Sequence, residues 1–459
     1  MIDPRVASGL RDLLPAAMIA REHALASFRR TLSGFGFLPL ETPHIERMEV
    51  LTGKGAGSDE VLRQIYEVTN KGGERGELGL RFDLTVPLAR FVARNIHELG
   101  RPFKRYAVGS VFRGERPAKG RFREFLQCDF DIVGTDSLLS DAEVVVAVHA
   151  TLDAMKVPPF RIALNHRSIL DGLFAQLGVA EQKGRLLRSL DKLAKIGRDG
   201  VFGELVAVSD PGPAGPVEAI TANQANQILD FVTVGRGQVD VLDRAASALA
   251  DQPTAVAAVA SLRKLVDLAI AGGVPADRLD VDLGLARGLD YYTGVVLETT
   301  ITGWEKFGSV ASGGRYNNLT RLFTDQPLPG VGASIGLDRL LALLDEAGWA
   351  SPQPSAVPVL IPSLPEVAAE ILFGLATRLR RADIGAEVYP DGIALGKQLQ
   401  YGTLRGHRFA VLVGAAERDR SCFNLRDLAT RSEQKNLAMA DLESILRDVL
   451  AVPSSEATR

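Results

Sequence analysis

Arg113, Arg116, Lys119, Arg121 and Arg123 crowd into a short stretch, and Gln127, Asp129 and Asp131 follow at every second residue. Guanidinium groups stay protonated and can fork two oxygens at once, so such a cluster suits a polyanion such as a chain of phosphates. From Arg101 to Glu124 eight basic residues stand against two acidic ones, a local balance of +6. The residues after the cluster alternate, with Leu126, Cys128, Phe130 and Ile132 on one face of a strand and Gln127, Asp129 and Asp131 on the other. The first face is core. The second, with two carboxylates, an amide and Arg113 on the partner strand, is either a solvated surface or a recognition floor.

Two further segments combine turn-forming glycines with polar tips. In Leu285-Ala286-Arg287-Gly288-Leu289-Asp290-Tyr291-Tyr292-Thr293-Gly294 a sharp turn can present an arginine, an aspartate and two tyrosines at one spot. In Gly330-Val331-Gly332-Ala333-Ser334-Ile335-Gly336-Leu337-Asp338-Arg339 a Gly-rich strand leads into a helix with a basic residue on its first turn. Neither follows the dinucleotide or Walker spacing. Taken singly, each also has a plain structural reading, as a turn with packing tyrosines and as an ordinary strand-to-helix turn.

These segments need a scaffold. A helical rhythm at Met18, Arg21, Leu25, Phe28 and Leu32 closes at Gly34, and a short strand follows at Phe37 to Leu40. Ile65 to Thr69 and Leu78 to Arg81 form one expected hairpin; Arg105 to Arg113 and Phe122 to Val133 form another around the charged loop. Arg167 to about Ala271 has helical spacing and interrupts the sheet, whose strands return at Val281 to Gly284, Tyr292 to Thr300, Ser309 to Ala311 and Ser334 to Gly336. After the Pro/Ser-rich linker Ser351 to Ser355, the tail alternates strand and helix in a βαβαβ order.

The 459 residues carry 53 basic and 56 acidic side chains and are 46% hydrophobic, with mean hydropathy +0.07, which excludes a single small module and a disordered chain. No run approaches the ~20 apolar residues of a membrane helix, and the amino terminus lacks the order of a secretory signal, so a cytoplasmic protein without membrane contact is expected. Cys128 and Cys422 are too few for a disulfide framework or a paired-cysteine zinc site, and no metal ligands are assigned. His44, His97 and His149 are scattered and read as structural.

Taken in order, the segments resemble the signatures of class II aminoacyl-tRNA synthetases and, within them, of the histidyl-tRNA synthetase family, over nearly the whole chain. Gly9-Leu10-Arg11-Asp12 resembles the amino-terminal signature, and the helix and strand up to Pro43 resemble motif 1, which lies at the dimer interface in this class. Phe112 to Asp131 is similar to motif 2, Gly332 to Arg339 to motif 3, and Arg287 to Tyr292 to the peptide that sets histidyl enzymes apart. Leu164 to Arg167, Gly313 to Tyr316, and the tail's Lys397-Gln398-Leu399, Val413-Gly414 and Glu417 also match family segments.

The resemblance implies an α/β (α+β) architecture: an antiparallel six-stranded catalytic sheet, a helical insertion and a carboxy-terminal α/β anticodon-binding domain. The expected divisions are 1–166 and 276–350 for the catalytic domain, 167–275 for the insertion and 351–459 for the linker and anticodon domain. It implies a homodimer that activates L-histidine with ATP and Mg²⁺, without a tightly bound cofactor, and transfers it to tRNA(His). It assigns Arg113 to the α-phosphate and Arg287 to its other side, Arg121 and Arg339 to the outer phosphates and adenine face, Glu115 to the adenine amino group and Phe125 to stacking on the base. Asp83, Thr85 and Gln127 take the histidine ammonium; Asp131 and the Tyr291-Tyr292 pair take the imidazole. Asp129 is left as a neighbouring or solvated carboxylate.

Three departures stand out. Arg81-Phe82-Asp83-Leu84-Thr85 is the variant of archaeal and eukaryotic relatives, Asp131 stands where most bacterial members carry Glu, and Arg116-Pro117-Ala118 replaces the usual Arg-Pro-Gln. The rival readings are a histidine-binding regulatory subunit of ATP phosphoribosyltransferase and a nucleic-acid-binding accessory protein that keeps the fold without the activity.

Overall fold

The computed structural model describes residues 2–53, 63–69, 72, 76–118, 120–207, 209–212, 215–217, 219–286, 292–349, 355 and 357–451. The chain divides into two compact units, Met1–Arg11 with Ala24–Leu343, and Asp12–His23 with Leu344–Arg459.

The first unit is built on a sheet of eight strands: β1 (Leu38–Pro39), β2 (Phe103–Phe112), β3 (Glu124–Val133), β4 (Phe160–His166), β5 (Leu279–Val281), β6 (Val295–Ile301), β7 (Ala311–Tyr316) and β8 (Gly330–Gly336). Their spatial order is β1-β2-β3-β8-β7-β6-β4-β5. The six inner strands are antiparallel throughout, and the short β1 and β5 add in parallel at the two edges. The expected antiparallel six is therefore the centre of a mixed sheet of eight. Its edge strands are two and three residues long, too short to show as periodic runs in the sequence.

β2 and β3 pair over their full length, with Arg105 opposite Asp131, Ala107 opposite Asp129 and Gly109 opposite Gln127. On the even-numbered face of β3 Phe130 meets Phe28 and Phe37, whose ring centroids lie 6.4 and 5.6 Å away, so the segment from Ala24 to Phe37 covers that face. The odd-numbered face is enclosed as well, because Asp129 and Asp131 are buried. The alternation reads correctly as two faces, but the polar one is not solvated.

The helix Thr85–Leu99 buries Val86, Leu88, Ala89, Val92 and Ile96, and its first turn is steadied by Asp83 Oδ1, which accepts the Val86 N–H at 3.0 Å. The hairpin expected near residues 65–81 is present, with Glu67–Val68 and Ile45–Arg47 both paired to Leu78–Leu80. The segment after β4 is helical, running from Arg167–Gln176 to the long helix Pro253–Ala271, and it clusters with the first unit rather than forming one of its own. It also holds a short pairing of Ser209–Gly212 with Gly215–Val217.

In the second unit Ala386–Val388, Val359–Ile361 and Phe409–Leu412 pair in parallel, as the βαβαβ order requires. Cys422–Asp427 and Glu433–Ala438 then extend the sheet antiparallel to five strands. The sequence reading missed these two, because Glu433–Ala438 is a polar, largely exposed edge without apolar alternation. Gln398, part of the family pattern, is fully buried: its amide nitrogen donates to Ser363 O and Ile393 O, both at 2.7 Å, and its oxygen accepts the Ser363 N–H at 2.8 Å. Glu417 likewise holds backbone, accepting from Gly414 N–H at 3.1 Å. Among the described residues no helix is long and apolar enough to cross a membrane.

Candidate active site

A cavity of about 370 Å³ opens on the odd-numbered face of β3. The register explains why the sheet has room there. Opposite Gln127, Asp129 and Asp131 stand Gly336, Ser334 and Gly332 of β8, and beyond Ser334 and Gly332 lie Ser312 and Gly314 of β7. Directly opposed residues share a face, so small side chains on β7 and β8 leave a trough beside the larger ones on β3. A Cβ at Gly332 would sit only 2.1 Å from Asp131 Oδ1.

The carboxylate end of the cavity is formed by Asp83, Asp129 and Asp131, with Thr85, Gln127 and Tyr292 beside them. Asp131 Oδ1 accepts the Tyr316 hydroxyl at 2.6 Å, and its Oδ2 lies 2.8 Å from the buried Arg105 guanidinium. That second contact is an ion pair without hydrogen-bond alignment, since Oδ2 has no hydrogen-bond partner; Asp83 Oδ2, Gln127 Oε1 and Asp129 Oδ1 have none either. Four buried acceptors thus share one cavity and call for a ligand that brings N–H or O–H donors.

Burial raises the proton affinity of all three carboxylates. Asp83 is pushed up to about 6, against the Val86 amide and the charges of Arg113 and Arg105. Asp129 is pushed up to about 7 by burial, opposed by Arg105 and reinforced by Asp131. Asp131 is raised by burial against Arg105 and the Tyr316 bond, while Tyr316 itself is driven far above its ordinary value by burial and the adjacent carboxylate. Desolvation dominates in each case, because one buried arginine cannot compensate three acids.

The other end is cationic, with Arg113, Arg121 and Arg339 lining the cavity together with Glu115 and Phe125. Arg113 Nε donates to Phe82 O at 3.1 Å and its guanidinium lies 5.1 Å from the Phe125 ring centroid. Arg113 therefore sits where the two ends meet, next to Asp83. Arg339 Nη1 donates to Ser309 O at 3.0 Å, and Glu115 faces Arg121 at 3.6 Å. Asp338 anchors this end by accepting the Leu126 N–H and Arg11, both at 2.7 Å. A ligand with a cationic head and an anionic tail fits this polarity.

Of the residues singled out in the sequence, Asp83, Thr85, Arg113, Glu115, Arg121, Phe125, Gln127, Asp131, Tyr292 and Arg339 come together here. Arg287 and Tyr291 lie outside the described residues. Arg123, whose place in the cluster suits either a phosphate contact or the loop's shape, is turned to backbone, donating to Glu115 O at 3.2 Å and Ser8 O at 3.0 Å. Arg105 and Tyr316 were missed as site residues. The signal for Arg105 was its place inside an apolar strand, where a lone arginine needs a buried partner; Tyr316 was visible only as the end of a quoted family segment. Asp191, from the helical segment, also lines the cavity. Among the described residues no group of three or more His, Cys, Asp or Glu is placed to hold a metal ion.

Residues 9–340 match the family model for histidyl-tRNA synthetase, and residues 359–449 match that for an anticodon binding domain. The chain is 44% identical to a histidine–tRNA ligase of Rhodopirellula baltica over 95% of both chains, and 38% identical to one of Wolinella succinogenes over 97% of this chain and 98% of the other. A crystal structure of histidyl-tRNA synthetase from Nostoc sp. superposes with a TM-score of 0.86 at 34% identity, covering 98% of this chain and all of that one. A Bacillus halodurans structure described as an ATP phosphoribosyltransferase regulatory subunit/histidyl-tRNA synthetase shares the fold, with a TM-score of 0.71 at 20% identity.

Proposed function

The chain belongs to the histidyl-tRNA synthetase family, and from that premise we propose that its cleft activates L-histidine with ATP and passes the histidyl group to tRNA(His). The observation that carries the reading within the molecule is the polarity of the cavity: unpartnered acceptors at one end, arginines at the other, and Arg113 between them. Histidine brings an α-ammonium with three N–H donors and an imidazole with a fourth. Its carboxylate then faces the arginine end, where the triphosphate of ATP finds its counter-charge.

The first step joins a histidine carboxylate oxygen to the α-phosphorus and breaks the bond to the β-phosphate oxygen, giving histidyl-adenylate and pyrophosphate. In the second, a ribose hydroxyl at the tRNA end attacks the histidyl carbonyl and AMP leaves. Neither step needs a protein nucleophile, so the side chains work by in-line positioning and by neutralising charge on the five-coordinate phosphorus. Arg113 and Arg287 are the residues assigned to that charge. Arg121 and Arg339 are assigned to the outer phosphates, and Glu115 and Phe125 to the adenine. Asp83, Thr85 and Gln127 are assigned to the ammonium, and Asp131, Tyr291 and Tyr292 to the ring. Magnesium enters with ATP as part of the substrate, carried on phosphate oxygens.

The match of residues 359–449 to an anticodon binding domain supports a tRNA partner and favours the ligase over a regulatory paralogue, whose likeness here is one of fold alone. Homodimerisation through the motif 1 region, a cytoplasmic location and the division at 166, 275 and 350 complete the proposal. Pyrophosphate exchange with each of the standard amino acids tests it. Exchange that depends on histidine alone is expected; exchange with another amino acid, or with none, overturns it.

A further inference from the structure

Residues 8–11 are stitched to the cationic end of the cavity. Gly9 O accepts the Arg123 N–H at 2.9 Å, Ser8 O accepts from Arg123 Nη1 at 3.0 Å, and Arg123 O in turn accepts the Arg113 N–H at 2.9 Å. The fit is close: Gly9 has φ +82°, and a Cβ on it would stand 2.7 Å from Arg123 Cδ and 2.9 Å from Pro117 Cγ. Two residues on, the Arg11 guanidinium lies over the Phe122 ring, 3.6 Å from its centroid, and its Nη2 pairs with Asp338 Oδ1 at 2.7 Å. Phe122 and Asp338 both line the cavity, whereas Arg11 does not.

These contacts fall where the sheet ceases to fix the site. On the β8 side of β3 the ladder ends at Gln127 opposite Gly336. From that pair one chain leads back to Phe125 and Phe122, and the other enters the helix Leu337–Glu346, which carries Arg339. Asp338 bridges the two, with Oδ2 accepting the Leu126 N–H at 2.7 Å and Oδ1 taking Arg11, while Arg11 reaches back to Phe122. The Arg11 side chain is 29% exposed and that of Asp338 5%, so the pair is largely screened from water and holds more firmly than a surface pair. The geometry points to Arg11 as a positioning residue for ATP: through Phe122 and Asp338 it holds Phe125 and Arg339, assigned to the adenine and the outer phosphates, at a fixed separation. This rests on the histidine-activating reading above. The carboxylate end, with Asp83, Asp129 and Asp131, lies beyond Arg113 and has no part in the brace, so loss of Arg11 should separate the two substrates.

The test is Arg11→Ala in the full chain, assayed by pyrophosphate exchange with ATP and histidine varied in turn. A remote substitution that misplaces a binding group costs up to about 10²-fold, so the KM for ATP is expected to rise by about 10-fold or more, with the KM for histidine within about twofold of wild type. Arg11→Lys keeps a charge to face Asp338 and lacks the planar group that covers Phe122, so its KM for ATP should fall between those of wild type and Arg11→Ala. Urea unfolding of the same samples measures stability. If Arg11→Ala does not fold, Arg11→Lys carries the test, with a rise of about 3-fold in the KM for ATP alone expected from the lost contact with the ring. An unchanged KM for ATP in the variant that folds overturns the proposal, and so does a parallel rise in both KM values, which is what a merely weakened fold would give. Absence of histidine-dependent exchange in the wild type would instead refute the functional reading on which it stands.

Discussion

Replacing Gly332 by alanine tests whether the carboxylate end of the cavity is as tightly held as the distances imply. The added Cβ would lie 2.1 Å from Asp131 Oδ1, 2.5 Å from its Cγ and 2.7 Å from Phe130 O. To regain van der Waals contact the carboxylate has to withdraw by roughly 1 Å. It has nowhere to go without stretching the 2.6 Å bond from Tyr316 or the 2.8 Å contact with Arg105. Disrupting a buried ion pair costs about 3–5 kcal/mol. Removing a strand glycine returns about 0.5–1 kcal/mol of chain entropy, so a net loss of about 2–4 kcal/mol is expected. Urea unfolding measures it, and histidine-dependent pyrophosphate exchange should fall with it. Gly336→Ala is the control: its Cβ meets Val310 O at 3.8 Å and Arg339 Cβ at 3.9 Å, which is ordinary contact, so stability should change by less than about 1 kcal/mol. If both variants unfold like the wild type and Gly332→Ala keeps its KM for histidine, Asp131 is not clamped as described.

Arg113→Ala and Arg287→Ala should each lower the exchange rate by about 10²- to 10³-fold, with Arg113→Ala also raising the KM for ATP; a kcat within about twofold of wild type would remove the assigned role. For Asp83 the folded value of about 6 lies above the ordinary 3.8, so the folded protein holds a proton that the unfolded chain releases, and stability falls as pH rises through that interval. Asp83→Asn should therefore gain on wild type by on the order of 2–3 kcal/mol between pH 4 and pH 7, and parallel stability curves would refute it. At the loop tip, Ala118 and Arg121 exchange backbone hydrogen bonds at 3.1 and 2.8 Å, and residue 118 offers only a methyl group. Charging of tRNA(His) should depend little on an extra 5′ guanosine, and a loss of more than about 100-fold, roughly 2.7 kcal/mol, without that nucleotide would sink the idea.

How far the sequence reveals the molecule depends on whether a residue's role is local. The alternation of Gln127, Asp129 and Asp131 fixes strand and face because side-chain direction has a period of two, and the pairing with Phe103–Phe112 is the hairpin expected around the charged loop. Whether that face is wet or buried depends on Gly332, Ser334 and Gly336, some 200 positions away, and no local pattern reports on the register that opposes them. Arg81 carries a similar lesson. It ends an expected strand with no sign in the sequence of what it would bond, and it is buried, with its guanidinium on the carbonyls of Ser110 at 2.8 Å and Thr42 at 2.6 Å. Gly109 makes room for it, since a Cβ there would lie 2.3 Å from Arg81 Nη2. For Arg123 the charge alone leaves two readings, a phosphate contact or a loop brace, and its donors go to carbonyls that shape the loop.

The segregation of charge in the cleft couples its chemistry to its stability. Asp83, Asp129 and Asp131 are buried with Arg105 as their shared cation, and the raised values of Asp83 and Asp129 mean that near neutral pH the empty protein bears part of the cost of desolvating their charge. A bound ammonium supplies the missing positive charge and the missing donors together, which lowers those values, expels the protons and stabilises the folded unit in proportion to ligand occupancy. An uncharged isostere supplies neither. It leaves the acceptors buried and unpaired, a penalty larger than any contact it makes with the cavity walls. Selectivity for an ammonium-bearing ligand and the weakness of the empty site therefore have the same origin, and a substitution that relieves one must erode the other.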